Sequence, residues 1–202
     1  MIDESRATPD ARHTVLLQRG LWLEYVTLGW NVVGVAVLAT AALAAGSIAL
    51  AGFGLDSLIE IGASTVVVWQ LTGTAANRER PAMRLIGGAF IALAIYIVAQ
   101  AAYVVVSGGR PAASTLGILW TGVTCVTMLA LAFGKARTGA ALDNPVLKTE
   151  GRVTLIDAYL AAAVLLGLVL NAAVGWWWAD PLAGLVIVFY GIKEGRAALR
   201  HP

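Results

Sequence analysis

GLDSLIEIGAS, residues 54–64, sets Asp56 and Glu60 four positions apart in a run that is otherwise apolar or small. On a helix, positions i and i+4 share one face, and Ser64 continues the same stripe, so the two carboxylates point at one place. The run around them extends over about residues 48–72. That is long enough for a helix to cross the ~30 Å hydrocarbon layer, which needs ~20 apolar residues.

The rest of the chain has the same character. Of its 202 residues 59% are apolar and 13% charged, and the mean hydropathy is +0.79, far above that of an ordinary soluble domain. Six segments qualify as spans, at roughly 21–45, 48–72, 84–106, 114–134, 152–174 and 180–198. Strand-like alternation is absent, and only helices or closed barrels satisfy their backbones in lipid. The fold class expected is an all-α integral membrane protein of six transmembrane helices. Residues 1–20 are polar and acidic before the first apolar run, which is wrong for a cleaved signal peptide and reads as a short disordered cytoplasmic tail. Residues 21–198 form the six-helix domain, and no C-terminal cytoplasmic domain is expected after it. The lone Cys125 excludes an intrachain disulfide and the two-Cys zinc motifs, and reads as a small packing residue.

The joints between segments divide into two kinds. AAGS (44–47), SGGRPAAS (107–114) and WWWADP (176–181) are short, with Arg110 their one basic residue. The other joints and both ends carry Arg6, Arg12, Arg19, Arg78, Arg80, Arg84, Lys135, Arg137, Lys148, Arg152, Lys193, Arg196 and Arg200, which is 13 of the 14 basic residues. The positive-inside rule makes that face cytoplasmic and places both termini in the cytosol, N-in and C-in, in the plasma membrane. The same asymmetry accounts for the pI near 8.9 without a nucleic-acid partner.

The second segment then runs from outside to inside, which at 1.5 Å per residue places Asp56 roughly 12 Å and Glu60 roughly 18 Å below the outer boundary. The fifth runs the other way and places Asp157 roughly 8–12 Å above the inner one. Glu60 and Asp157 share a depth. By position no Lys or Arg lies deep in a segment, so a salt bridge locking the helices is not expected. Isolated charges at such depth cost several kcal/mol, and the site is expected to hold protons or a cation at rest. Proton-for-cation exchange is the natural chemistry, with neutral acids serving as hydrogen-bond glue between helices as the alternative.

LAGFGLDSLIEIGAS (50–64) and GWWWADPLAGLVI (175–187) resemble the cation diffusion facilitator, or cation efflux, family of divalent-metal/proton antiporters, and the resemblance covers residues 21–198. That family carries Asp-x-x-x-Asp on helix two and His-x-x-x-Asp on helix five as a tetrahedral metal site. The resemblance implies that Asp56, Glu60 and Asp157 are metal ligands, with Glu60 in place of the second Asp and Val153 where the histidine stands. It also implies a homodimer, and a short member of the family without its cytoplasmic C-terminal domain or His-rich loop. Imidazole favours zinc, whereas carboxylates suit harder ions at least as well, so zinc, manganese, iron, cobalt and cadmium are not distinguished. No prosthetic group is expected.

A fourth oxygen can come from Thr154, from Asn31 or from water, with helix packing the other reading of Asn31. Glu24 lies two turns before Asn31 and Glu150 two turns before Asp157, at the cytoplasmic mouth, where they either attract cations or are ordinary interface residues. His13 and His201 lie in the tails, out of reach of a mid-membrane site. Trp176, Trp177 and Trp178 read as an aromatic belt, and Asp180 with Pro181 as the N-cap and first-turn proline of the sixth helix. The function expected is export of a cytosolic divalent cation against protons by alternating access. A non-transporting relative, a cation sensor or partner subunit, is the alternative that the missing histidine favours. A membrane enzyme is disfavoured because no nucleophile accompanies the acids.

Overall fold

The computed structural model describes residues 9–72, 79–108 and 110–200. They form six helices: α1 (Pro9–Ala45), α2 (Ile48–Leu71), α3 (Glu79–Ser107), α4 (Thr115–Ala141), α5 (Pro145–Val174) and α6 (Ala179–Arg200). No strand occurs among the described residues. Five of these helices, α1 to α5, are long and apolar enough to cross a membrane. The sixth carries Asp180 at its start and Lys193, Glu194 and Arg196 in its second half, and is not among them. The chain packs as α4 on α5, α1 on α2 and α3 on α6, with α1 also meeting α4 and α2 meeting α5.

Several helices outrun the apolar segments that announce them, α3 among them with its start at Glu79. Residues 9–20, read as part of a disordered tail, continue α1 as helix. Residues 135–141 belong to α4 and 145–151 to α5, so the joint between those helices is three residues long. The physical reason is that a helix does not stop where the hydrocarbon does; it stops at a cap. Asn144 accepts a bond from the Leu147 amide and Pro145 follows it at the first helical position, which starts α5 there. Asp143, in the turn, has a positive φ of 48°, and its bond to the Lys148 ammonium at 2.8 Å holds its carboxyl below the usual carboxylate range.

The three short, weakly charged joints meet at one end of the bundle. Gly46, with φ of 61°, lets the Ser47 amide reach back to Ala42 and close α1. The Ala112 backbone amide donates to the Ala45 carbonyl at 2.7 Å, and the Asn171 side-chain Nδ2 donates to the Pro111 carbonyl at 2.9 Å. Asp180 completes the set by a route the sequence does not suggest. Rather than capping its own helix, its carboxylate accepts the Ile48 amide at 3.0 Å, the Ala49 amide at 3.1 Å and the Ser47 hydroxyl. It thus satisfies the otherwise unpaired first-turn donors and the positive dipole end of α2, while Ser47 Oγ accepts from the Leu50 amide. Asp180→Ala should strand these donors and cost about 1–3 kcal/mol. Thermal unfolding in detergent would measure it, and an unchanged midpoint would show that the cap contributes nothing.

Candidate metal site

α2 and α5 run antiparallel, and their inward stripes pair rung by rung. Asp56 faces Asp157, the two side chains lying within hydrogen-bonding reach of each other. Toward the highly charged end, the Thr154 hydroxyl donates to Glu60 Oε1 at 2.8 Å, and beyond it the Ser64 hydroxyl donates to Glu150 Oε1 at 3.3 Å. All six side chains are buried, with Asp56, Glu60 and Asp157 at 4%, 2% and 3% exposure. The spacing of three or four residues on each helix is what turns every member of the two stripes inward. Gly34, Ser57 and Trp120 close the packing beside them, with Trp120 stacked on Trp30 at 5.0 Å.

The rungs differ in chemistry. Neither oxygen of Asp157 has a hydrogen-bond donor among the described residues. Two carboxylates in contact, both removed from water and with no donor on one of them, require a proton or a cation between them. Glu60, by contrast, is held by Thr154, and among the described residues no three acid, His or Cys side chains converge as a closed ligand set. The arrangement is therefore an Asp56–Asp157 pair with Glu60 turned aside to a hydroxyl. Asn31 is buried on α1 and donates to the Thr27 carbonyl of its own helix at 3.0 Å. Val153, one turn before Asp157, is buried at 8% exposure.

Lys135 corrects the expectation that the acids lack an internal cation. It does not lie in the joint before α5 but on α4, fully buried. Its ammonium meets Glu24 Oε2 at 3.1 Å, Glu150 Oε1 at 3.2 Å and Thr154 Oγ1 at 3.1 Å. Glu24 and Glu150 are accordingly not open mouth residues; they are buried at 0% and 3% exposure and already paired. The signal that finds Lys135 is the stripe Thr121, Thr124, Met128, Leu131, Lys135, Thr138, which is buried throughout at helical spacing. One ammonium still faces five buried carboxylates, Glu24, Asp56, Glu60, Glu150 and Asp157, so the polar core remains formally anionic. His13 is exposed near the start of α1, and His201 lies outside the described residues.

Buried acids on the central stripes of an apolar helical bundle are costly to hold in a membrane interior, which makes them the candidate site of this chain. The chain belongs to the cation efflux family, whose transmembrane domain matches residues 25–201. Members of this family are transporters and not enzymes. Transmembrane protein 163 of Xenopus laevis is 26% identical over 191 residues, 87% of this chain and 66% of the relative. Cation-efflux pump FieF of Shewanella oneidensis is 40% identical over 77 residues, 38% of this chain and 26% of the pump. An uncharacterized transporter of Synechocystis is 26% identical over 167 residues, 77% of this chain and 54% of the relative. The chain thus spans from about a quarter to just under two thirds of the length of these curated relatives.

Proposed function

We propose that this protein moves a divalent metal cation across a membrane in exchange for protons, through a carboxylate site between α2 and α5. The observation that carries the reading is the Asp56–Asp157 contact, in which Asp157 has no donor among the described residues although the helices around it are membrane-spanning in length and composition. The cation-efflux pump that shares 40% identity with part of this chain supports it. A cation arriving at the pair replaces the shared proton and draws Glu60 from Thr154 to complete an oxygen-rich ligand set, with Thr154, Asn31 or water supplying further oxygens. When the bundle opens to the other side, protons return to the carboxylates and release the ion.

In this reading α6 also crosses the membrane, since its 22 residues span about 33 Å and it packs along α3 and α5. Both termini are cytosolic in the plasma membrane, as the basic face dictates, and the protein works as a homodimer in the lipid bilayer. Reconstituted into vesicles, the chain should drive uptake of zinc, manganese, iron, cobalt or cadmium against an imposed proton gradient, and competition among the ions ranks them. Cation binding without flux would point instead to a sensor or partner subunit, the reading favoured by Val153 at the histidine position.

A further inference from the structure

We propose that Glu24 and Glu150 form a second cation-binding station, occupied in this structure by the tethered ammonium of Lys135, and that a divalent cation binds there by displacing that ammonium. The inference rests on the transport reading for its role, but not for its chemistry, which is a binding property of residues on α1, α4 and α5.

The ammonium is held as a bound cation would be. Three oxygens from three side chains surround it at 3.1–3.2 Å: it donates to Glu150 Oε1 and Thr154 Oγ1, and it is ion-paired with Glu24 Oε2. The enclosure has coordinating capacity that Lys135 leaves unused: Glu24 is fully buried, yet among the described residues neither of its oxygens accepts a hydrogen bond, Oε2 having only its ion pair with Lys135. The Ser64 hydroxyl, 3.3 Å from Glu150 Oε1, adds another oxygen at the rim. All these donors are oxygens, which suits a hard divalent ion such as manganese, magnesium or calcium. A double charge between two carboxylates gains more electrostatically than a single one, which gives the exchange its direction.

Lys135 also has somewhere to go. It lies six residues before the end of α4 at Ala141, about 9 Å along the helix axis, and a flexible lysine stem can swing its charge part of that way toward the helix end. Leaving the station breaks its bond to Thr154, the hydroxyl that donates to Glu60. The two stations are therefore adjacent, with Thr154 touching both: it accepts from Lys135 on one side and donates to Glu60 on the other.

The test is equilibrium dialysis of the full chain in detergent against manganese chloride. The wild type should bind one ion tightly and a second weakly, since the second competes with Lys135. Glu24→Gln and Glu150→Gln should each remove the weak event and keep the tight one. Lys135→Met, close in length and uncharged, should tighten the second event about tenfold or more, and should do so equally in an Asp157→Asn background, where the inner pair is disabled. If that double variant binds no more tightly than Asp157→Asn alone, the station does not exist. Should Lys135→Met fail to purify as a folded species, the glutamine variants decide: a wild type with no weak event, or one indifferent to both substitutions, overturns the proposal. Loss of neither event in Asp157→Asn would instead refute the inner site and leave the Lys135 comparison standing.

Discussion

Asp157→Asn should abolish metal flux and weaken divalent-cation binding at the inner site at least about a hundredfold. The substitution preserves shape while removing one of the two carboxylates that face each other between α2 and α5. It also supplies what the native side chain lacks, because an asparagine N–H can donate to Asp56 where a proton or cation is otherwise required. Binding and folding should therefore move apart: the cation is lost, but thermal stability in detergent stays level or rises, as when a buried charge is replaced by a satisfied neutral group. Glu60→Gln should follow the same direction, since a glutamine Oε1 still accepts from Thr154 while the charge disappears. A purely structural role predicts the opposite pattern, a less stable protein with unchanged affinity. Flux assays beside melting curves tell the two apart, and unaltered flux in both variants would reduce the carboxylates to packing.

The apolar segments were legible because a hydrocarbon crossing writes a one-dimensional signal, about twenty residues without charge. The acid stripe on α2 and its partner on α5 were legible for a related reason, since helical spacing fixes which side chains share a face. What hydropathy hides is helix beyond the hydrocarbon. Lys135 follows Gly134 at the edge of an apolar run and looks like the first loop residue, yet α4 carries it six residues before its end and turns it inward. Periodicity, not polarity, was the informative signal there. Asp180 was obscured differently: its partners Ser47, Ile48 and Ala49 lie more than 130 residues away, and only the meeting of three joints at one end makes it the cap of another helix. The weakly charged joints, by contrast, stand out in the chain by their composition, and in the bundle they are bonded to one another at one end.

Val153→His should shift selectivity toward zinc over manganese by roughly ten- to a hundredfold, about 1–3 kcal/mol. The position is one turn before Asp157 and buried at 8% exposure, next to Thr154, which already reaches across to Glu60. An imidazole there adds a nitrogen to a set of oxygens, and nitrogen strengthens a zinc site more than a site for a harder ion. The gain is opposed by packing, because histidine is larger than valine and overfilling a close-packed interface costs about 1–3 kcal/mol in stability. That cost falls on folding and is common to every ion, so the ratio of affinities is the quantity to measure. Competition between zinc and manganese in wild type, Val153→His and Val153→His/Glu60→Gln separates the contributions: the double variant should keep the zinc preference while losing affinity for both. If the ratio does not move in a folded Val153→His protein, the imidazole does not face the Asp56–Asp157 pair, and Glu150, one turn nearer the start of α5, becomes the position through which that helix reaches the cation.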